Sequence, residues 1–444
     1  MKKKKRIAVS TKPMSGFMEL LPAEQIVFNG MFNTIRQSYE TFGFIPLDTP
    51  VLERAEVLLA KAGGETEKQI YRFQKGETDL AMRFDLTVPL ARYVAEHYGQ
   101  LTFPFRRYAM DKVYRGERPQ AGRFREFYQC DIDIIGDQAL DLRYDAEIPS
   151  VIYTIFKKLG FEKFTIRVNN RKIFNGVFTG LGISDVATTV MQSIDKLEKV
   201  GAEAVKSDLL GIGLSEIVVK QLFEFLSLAG SSDKVILGLK KLGINNDEFL
   251  NGVDELSEAV SLMRQFGIPE TNFKIDLTIA RGLAYYTGTV YETQLDDYPE
   301  IGSVCSGGRY DDLASAYTNR DLPGVGISIG LTRLFDQLMK KEVLKIGSAT
   351  LTKVLILPMT DDFNVSLNLA TNLRERGIST EVSFVNGKMK KRLGYANKLG
   401  IPWAVFIGEE EIKKGIYALK DLETGKQEEV NQEALFLKIQ STEA

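Results

Sequence analysis

Between roughly Asn170 and Pro269 the chain changes its period, and that change constrains the fold more than any other feature. Within it, "DVATTVMQSIDKLEKVGAEAVKSDLL" and "VVKQLFEFLSLAGSSDKVILGLKKLG" space their apolar residues at helical intervals, with glycines at the ends. Before it, from about Phe17 to Gly136, short β-rich runs alternate with amphipathic helices. After it, strand-like text resumes at "FKIDLTIARGLAYYTGTVYETQ" and "VCSGGRYDDL", ending in a glycine-spaced strand-helix junction, "GVGISIGLTRLFDQLM". The sequence therefore predicts a helical unit inserted into a β-rich domain. The sheet of that domain must be completed by residues far away along the chain.

Local signals sharpen this outline. "FNGMFNTIRQSYETFGF" places Phe28, Met31, Phe32, Ile35 and Tyr39 on one helical face, with Gly43 as the stop. "IPLDTPVLE" is extended, because Pro46 and Pro50 forbid a helix. "FREFYQCDIDIIG" reads as a long strand whose acids alternate with isoleucine, which implies a half-buried sheet with one polar face. After a polar stretch around Lys340 to Lys353, "KVLILP", "STEVSF" and "WAVFIG" alternate with the helices "FNVSLNLATNLRERG" and "KMKKRLGYANKLG". This order predicts a separate, mostly parallel α/β unit. With 444 residues the chain exceeds one ordinary core. The expected domains are 1–170 with 270–340, a helical insertion over 171–269, and an α/β domain over 350–444.

Composition excludes several classes. Hydrophobic residues at 44% and charged residues at 26% match a soluble globular chain and argue against disorder or a collagen-like repeat. No apolar run is long enough to span a membrane, and none follows the basic start "MKKKKR", which reads as a solvated tail. Cys130 and Cys305 are the only cysteines and form no metal-binding pair, so a reducing, cytoplasmic setting is expected. A net charge of −2 offers no overall attraction for nucleic acid, which would have to meet local basic surfaces.

Chemistry concentrates in three segments. In "YRGERPQAGRFREFYQ", Arg115, Arg118, Arg123 and Arg125 surround a Pro-Gln-Ala-Gly turn between β-like runs, giving a hairpin with a cationic mouth suited to a polyphosphate. An exposed hairpin with surface ion pairs through Glu117 and Glu126 fits the same residues. In "ARGLAYYTGTVYET", Arg281 precedes Gly282, where backbone and ligand can approach closely, and Tyr285 and Tyr286 bring hydroxyls to an apolar wall. In "CSGGRYDDL" a glycine pair precedes Tyr310. Tyrosine and glycine pairs of this kind also serve ordinary packing and turns.

Together, and in this order, the segments resemble the signatures of histidyl-tRNA synthetases. The arginine hairpin is similar to class II motif 2, and "RGLAYYTGTVYE" with "SGGRYD" is similar to the two histidine-specific motifs of that family. "GFMELLP", "GFIPLDTPVLE" (like motif 1), "MRFDLTVPLARY" and "GISIGLTRLF" (like motif 3) extend the likeness over nearly the whole chain. The resemblance implies an α+β fold: an antiparallel-sheet class II core, a helical insertion and a C-terminal α/β anticodon-binding domain. It implies a homodimer joined through motif 1, with L-histidine, ATP, Mg²⁺ and tRNA(His) as ligands and no membrane partner.

Residue roles follow from the same resemblance. Arg115 would hold the α-phosphate of ATP, Arg123 and Arg333 would clamp its terminal phosphates, and Glu117 with Phe127 would seat the adenine. Asp85, Thr87 and Gln129 match positions that bind the α-amino group, Asp133 and Tyr286 those that grip the imidazole, and Tyr285 and Tyr310 would line that pocket. Arg281 would stabilise charge developing at the α-phosphate. Arg118 and Gln120 would meet the acceptor end of the tRNA, and Lys388, Lys390, Lys391 and Arg392 its anticodon-stem phosphates; for these cations an ordinary solvated helix face is the competing reading. No side chain is assigned to a metal. His97, the only histidine, lies outside the motifs and is expected to be structural or exposed. Ala284 and Glu19 stand where the family commonly carries aspartate, and Thr332 where it commonly carries glutamate. Two rivals share the resemblance: a regulatory paralogue of the kind that partners ATP phosphoribosyltransferase, and a histidine- or tRNA-sensing pseudoenzyme. The C-terminal unit and the intact arginine and histidine motifs argue against the first, and Arg115, Arg281 and Arg333 argue against the second.

Overall fold

The strands pair into three sheets in the computed structural model, which describes residues 10–60, 65–118, 122–280, 286–385 and 387–441. The strands are, in chain order, β1 (Ile45–Pro46), β2 (Leu52–Arg54), β3 (Arg72–Lys75), β4 (Thr78–Met82), β5 (Phe105–Tyr114), β6 (Glu126–Ile135), β7 (Phe164–Asn170) and β8 (Phe273–Ile275). They continue with β9 (Thr289–Leu295), β10 (Cys305–Tyr310), β11 (Gly324–Ile329), β12 (Val354–Pro358), β13 (Thr380–Val382), β14 (Trp403–Ile407), β15 (Tyr417–Asp421) and β16 (Gln427–Val430).

Two compact units result: residues up to Met18 with Met31–Lys341, and Glu19–Gly30 with the residues from Glu342. The larger unit holds an eight-stranded sheet in the order β1-β5-β6-β11-β10-β9-β7-β8 and a small antiparallel sheet, β2-β4-β3. In the large sheet only the outer pairs, β1 with β5 and β7 with β8, run parallel. Strands from before and after the inserted helices therefore share one sheet, with β11, β10 and β9 lying between β6 and β7. Long-range completion of the sheet is the feature that the change of period foretold.

Helix ends follow their local chemistry. The helix Pro22–Thr41 begins earlier than its apolar spacing suggested, with Pro22 tolerated in the first turn and the Glu24 carboxylate accepting from the Leu21 N–H at 2.8 Å. Gly43, at φ +77°, turns the chain beyond its end as expected. The segment after Asn170 is helical from Arg171–Leu181 to Asp247–Gln265, and the Asn170 and Asn246 side chains cap those two helices. The smaller unit differs from expectation. Its parallel strands β13, β12 and β14 are continued by an antiparallel hairpin, β15–β16, so the sheet is mixed. "DLETGK", with Gly425 at φ +77°, makes the hairpin turn.

Cys130 and Cys305 are free and buried. Both are in register with Ile329 on the intervening β11. Two strand spacings separate them by roughly 9–10 Å, beyond the reach of a disulfide.

On the core face of the large sheet, Asp145 in the first turn of the helix Arg143–Lys158 is fully buried and paired with Arg309 of β10, Nη2 to Oδ1 at 2.6 Å. Thr289 donates to its other oxygen at 2.6 Å. Asp145→Ala would leave the buried guanidinium uncompensated, a loss of roughly 3–5 kcal/mol. Urea unfolding checks this, and a loss below about 1 kcal/mol would show that water or another group compensates Arg309.

Candidate active site

Strand alternation places the site. Gln129, Asp131 and Asp133 of β6 share one face, and their register partners continue it: Asp111, Ala109 and Arg107 on β5, then Ser328 and Gly326 on β11. Ser306 and Gly308 of β10 and Glu292 and Val290 of β9 extend the same two rows. The polar face is not half-solvated as expected, since β6 is buried from Gln129 to Ile135 on both of its faces. Polar side chains in such a place must find partners or a ligand.

At one end of this face a cavity of about 360 Å³ is lined by Arg115, Glu117, Arg123, Phe127, Gln129, Ser306, Ser328 and Arg333, among others. Arg115 is held as a plane. Its guanidinium carbon lies 4.3 Å from the Phe84 ring centroid and 5.0 Å from that of Phe127, and Nε donates to the Phe84 carbonyl at 3.2 Å. Arg123 pairs with Glu117 at 3.3 Å, and Arg333 Nη2 donates to the Ile301 carbonyl at 2.5 Å. Thr332 has a structural task, its hydroxyl accepting from the Tyr128 N–H at 2.8 Å. The N-terminal segment backs this hairpin, with the Gly16 carbonyl accepting from the Arg125 N–H at 2.8 Å.

Further along, Asp133 is buried and doubly held: Tyr310 donates its hydroxyl to Oδ1 at 2.7 Å, and Arg107 Nη2 lies 2.5 Å from Oδ2. Burial pushes its pKa up to about 6, and Arg107 and the tyrosine hydroxyl work against that rise. Asp131 is raised further, to about 7, again by burial and against the pull of Arg107. Asp85 is close enough to raise both acids further, and its Oδ1 caps the helix Thr87–His97 by accepting from the Thr87 and Val88 N–H groups at 3.1 and 2.9 Å. Gly326 is required here, because a Cβ would lie 2.3 Å from Asp133 Oδ1. Tyr286 is half-buried with its ring against Gly308.

Most of the described residues named from sequence thus lie on or beside one sheet face. Arg281, Tyr285, Gln120 and Ala284 lie outside the described residues. Arg118 is exposed, and His97 stands at a helix end against Tyr93, ring centroids 4.5 Å apart. Arg107, Asp131 and Ser328 were missed. The signal for Arg107 was "FRRYAMDKVY", where alternation puts one arginine of the pair on the same face as Asp111. The alternating "DID" held the signal for Asp131.

The smaller unit offers a second surface. β12 lies between β13 and β14, so the loops after β12 and β13 diverge at the carboxyl ends of parallel strands, where such sheets bind ligands. Phe363 and Phe384 are exposed there with ring centroids 5.7 Å apart, and the exposed Lys388, Lys390 and Lys391 follow in sequence. Arg392 is a correction to the basic-helix reading. Its guanidinium donates to the carbonyls of Pro358 and Ser383 at 2.8 and 3.2 Å and is committed to its own domain.

Comparison with known proteins gives the family. A family model described as histidyl-tRNA synthetase matches residues 16–334, and one described as anticodon binding domain matches 353–442. The chain is 56% identical over 430 residues to a histidine–tRNA ligase of Clostridium tetani, covering 97% of this chain and 98% of the relative. The crystal structure of histidyl-tRNA synthetase from Nostoc sp. PCC 7120 superposes with a TM-score of 0.90 at 40% identity, covering 98% of this chain and all of that one. A Bacillus halodurans structure described as an ATP phosphoribosyltransferase regulatory subunit/histidyl-tRNA synthetase shares the fold, with a TM-score of 0.76 at 22% identity over 89% of this chain and 98% of that one. Sequence identity of this extent, over a sheet whose polar face assembles the expected side chains, means that the chain belongs to the histidyl-tRNA synthetase family.

Proposed function

We propose that this chain is a histidine–tRNA ligase that activates L-histidine with ATP and transfers it to the 3′-terminal adenosine of tRNA(His). The observation that carries the reading is the buried Asp133, kept as an acceptor by Arg107 and Tyr310 on the floor beside an arginine-lined cavity. An imidazole N–H suits such an acceptor, and an apolar isostere would leave it unpaired. Gln129, Asp85 and Thr87 take the α-ammonium, while Tyr286 and the expected Tyr285 wall the ring.

The histidine carboxylate attacks the α-phosphorus in line, forming histidyl-adenylate, and pyrophosphate leaves. Arg115 and Arg281 supply fixed charge where it develops, and Arg123 and Arg333 hold the departing phosphates. In the second step a hydroxyl of the terminal adenosine attacks the mixed anhydride, its proton passes to a phosphate oxygen, and AMP leaves. Mg²⁺ would neutralise part of the triphosphate charge, and no side chain is assigned to hold it. Among the described residues no cluster of three metal-ligating side chains offers it a cage.

Histidine-dependent ATP–pyrophosphate exchange, followed by charging of a tRNA(His) transcript, tests the reading. Absence of exchange would favour the regulatory or sensing alternatives. Cytoplasmic action fits the substrates and the two unpaired cysteines. A second copy of the chain is the expected partner, and exposed Ile45 and Leu52 in the motif 1 segment support it; full activity of a dilute monomer would contradict it.

For the tRNA, the exposed ring pair and the lysines beside it suit unstacked bases and phosphates. Lys388→Ala with Lys391→Ala is expected to leave pyrophosphate exchange unchanged and to weaken tRNA binding. Each lost phosphate contact should flatten the dependence of log affinity on log salt by roughly 0.7–0.9. An unchanged slope would assign those lysines to solvent.

A further inference from the structure

We propose that Ser328 and Asp131 form a relay that fixes the Gln129 side-chain amide so that its carbonyl oxygen, and not its NH₂ group, faces the α-ammonium of the amino acid. The proposal rests on Gln129 being the ammonium reader and adds the residues that give it polarity.

Gln129 Nε2 donates to Ser328 Oγ at 2.6 Å, while Oε1 is buried with no hydrogen-bond partner among the described residues. Ser328 stands directly opposite Asp131 in the β6–β11 register, and the hydroxyl holds the Asp131 carboxyl down against the effect of burial. Burial raises the Asp131 pKa to about 7, so above that pH the group is ionised and can only accept. In that state the Ser328 proton goes to Asp131, and its oxygen accepts from Gln129. The amide is left with one orientation, in which Nε2 is engaged and Oε1 is the group presented to the cavity that Gln129 and Ser328 line. Asp131 Oδ1 is also buried without a hydrogen-bond partner among the described residues. A reversed amide would point two N–H donors at a cation, a repulsive contact in a buried place.

The direction of the relay is set by charge, so a change that preserves shape should reverse it. Asparagine at this position would offer Nδ2 to Ser328 Oγ and free the hydroxyl proton to go to Gln129 Oε1, turning the amide over. The residues act through Gln129 and are positioning residues.

The experiment compares binding of L-histidine with that of 3-(imidazol-4-yl)propionate, the same molecule without its ammonium, to the full-length wild-type protein and to the Ser328→Ala and Asp131→Asn variants. Both variants are expected to weaken histidine by roughly 10–100-fold while the des-amino analogue and the KM for ATP change less than about twofold. Ser328→Thr, which keeps the hydroxyl, is expected to retain the preference for histidine. Should Ser328→Ala fail to fold, Asp131→Asn carries the same expectation. Equal weakening of both ligands would reduce the pair to a structural role and overturn the relay. Gln129→Ala separates the two levels: if it abolishes the preference for histidine while the Ser328 and Asp131 variants keep it, the relay fails alone. If it leaves the preference intact, Gln129 is not the ammonium reader, and both fall.

Discussion

Asp133→Ala is expected to lower kcat/KM for histidine in pyrophosphate exchange by roughly 10³–10⁴, with the KM for ATP within a few-fold of the wild type. Removing the carboxylate deletes the acceptor proposed for the imidazole N–H, and it leaves the Tyr310 hydroxyl without the partner it holds at 2.7 Å. Sites built to pair a substrate N–H lose far more than a methylene's worth of binding when the pairing fails, because the desolvated groups have nowhere else to turn. It also strips the fully buried Arg107 of the carboxylate 2.5 Å away, a stability cost of roughly 3–5 kcal/mol. Urea midpoints must therefore accompany the kinetics, and Asp133→Asn, which keeps the shape and an acceptor for Tyr310, should unfold less readily. An alanine variant that stays folded and keeps exchange within tenfold of the wild type would show that Asp133 supports the sheet and does not read the ring.

That Asp133 and Tyr310 could be named from sequence, while Arg107 and Ser328 could not, has a physical reason. Asp133 lies in a strand whose alternation is plain in "CDIDII", and the motif order identified the family. Arg107 arrives from β5 and Ser328 from β11, the latter nearly two hundred residues away, and only pairing of β6 with both strands brings them together. Periodicity says which residues share a face, and it does not say which strand lies alongside. Burial was misjudged for the same reason. Alternating acids read as a solvated face, yet Asp131 and Asp133 are almost fully buried in the floor of the site, with burial raising both pKa values. The β15–β16 hairpin escaped notice because its second strand, "QEEV", is polar and mostly exposed and carries no apolar alternation. Arg392 was grouped with its neighbouring lysines by charge alone, and only the loop geometry reveals carbonyls within its reach. The helices between Arg171 and Gln265 were legible, since a shift from strand to helical spacing is a local signal.

Arg115→Lys should be nearly as damaging as Arg115→Ala, with kcat for adenylate formation reduced roughly 10²–10³ while the KM for ATP moves little. Lysine keeps the charge, so a role confined to net attraction for the triphosphate would survive the change. What lysine cannot keep is the plane. The guanidinium of Arg115 is sandwiched between the rings of Phe84 and Phe127, at 4.3 and 5.0 Å, with Nε anchored on the Phe84 carbonyl. Each ring contact contributes about 0.5–2 kcal/mol to holding that orientation. The fork is thereby fixed before the substrate arrives, and a fixed dipole stabilises charge in the transition state without reorganising as the charge appears. An ammonium on a flexible stem would have to be ordered during the reaction, and its cost falls on the chemical step, where single-turnover formation of histidyl-adenylate measures it. If Arg115→Lys stays within threefold of the wild type in that measurement, positive charge alone suffices at this position, and the aromatic sandwich serves packing.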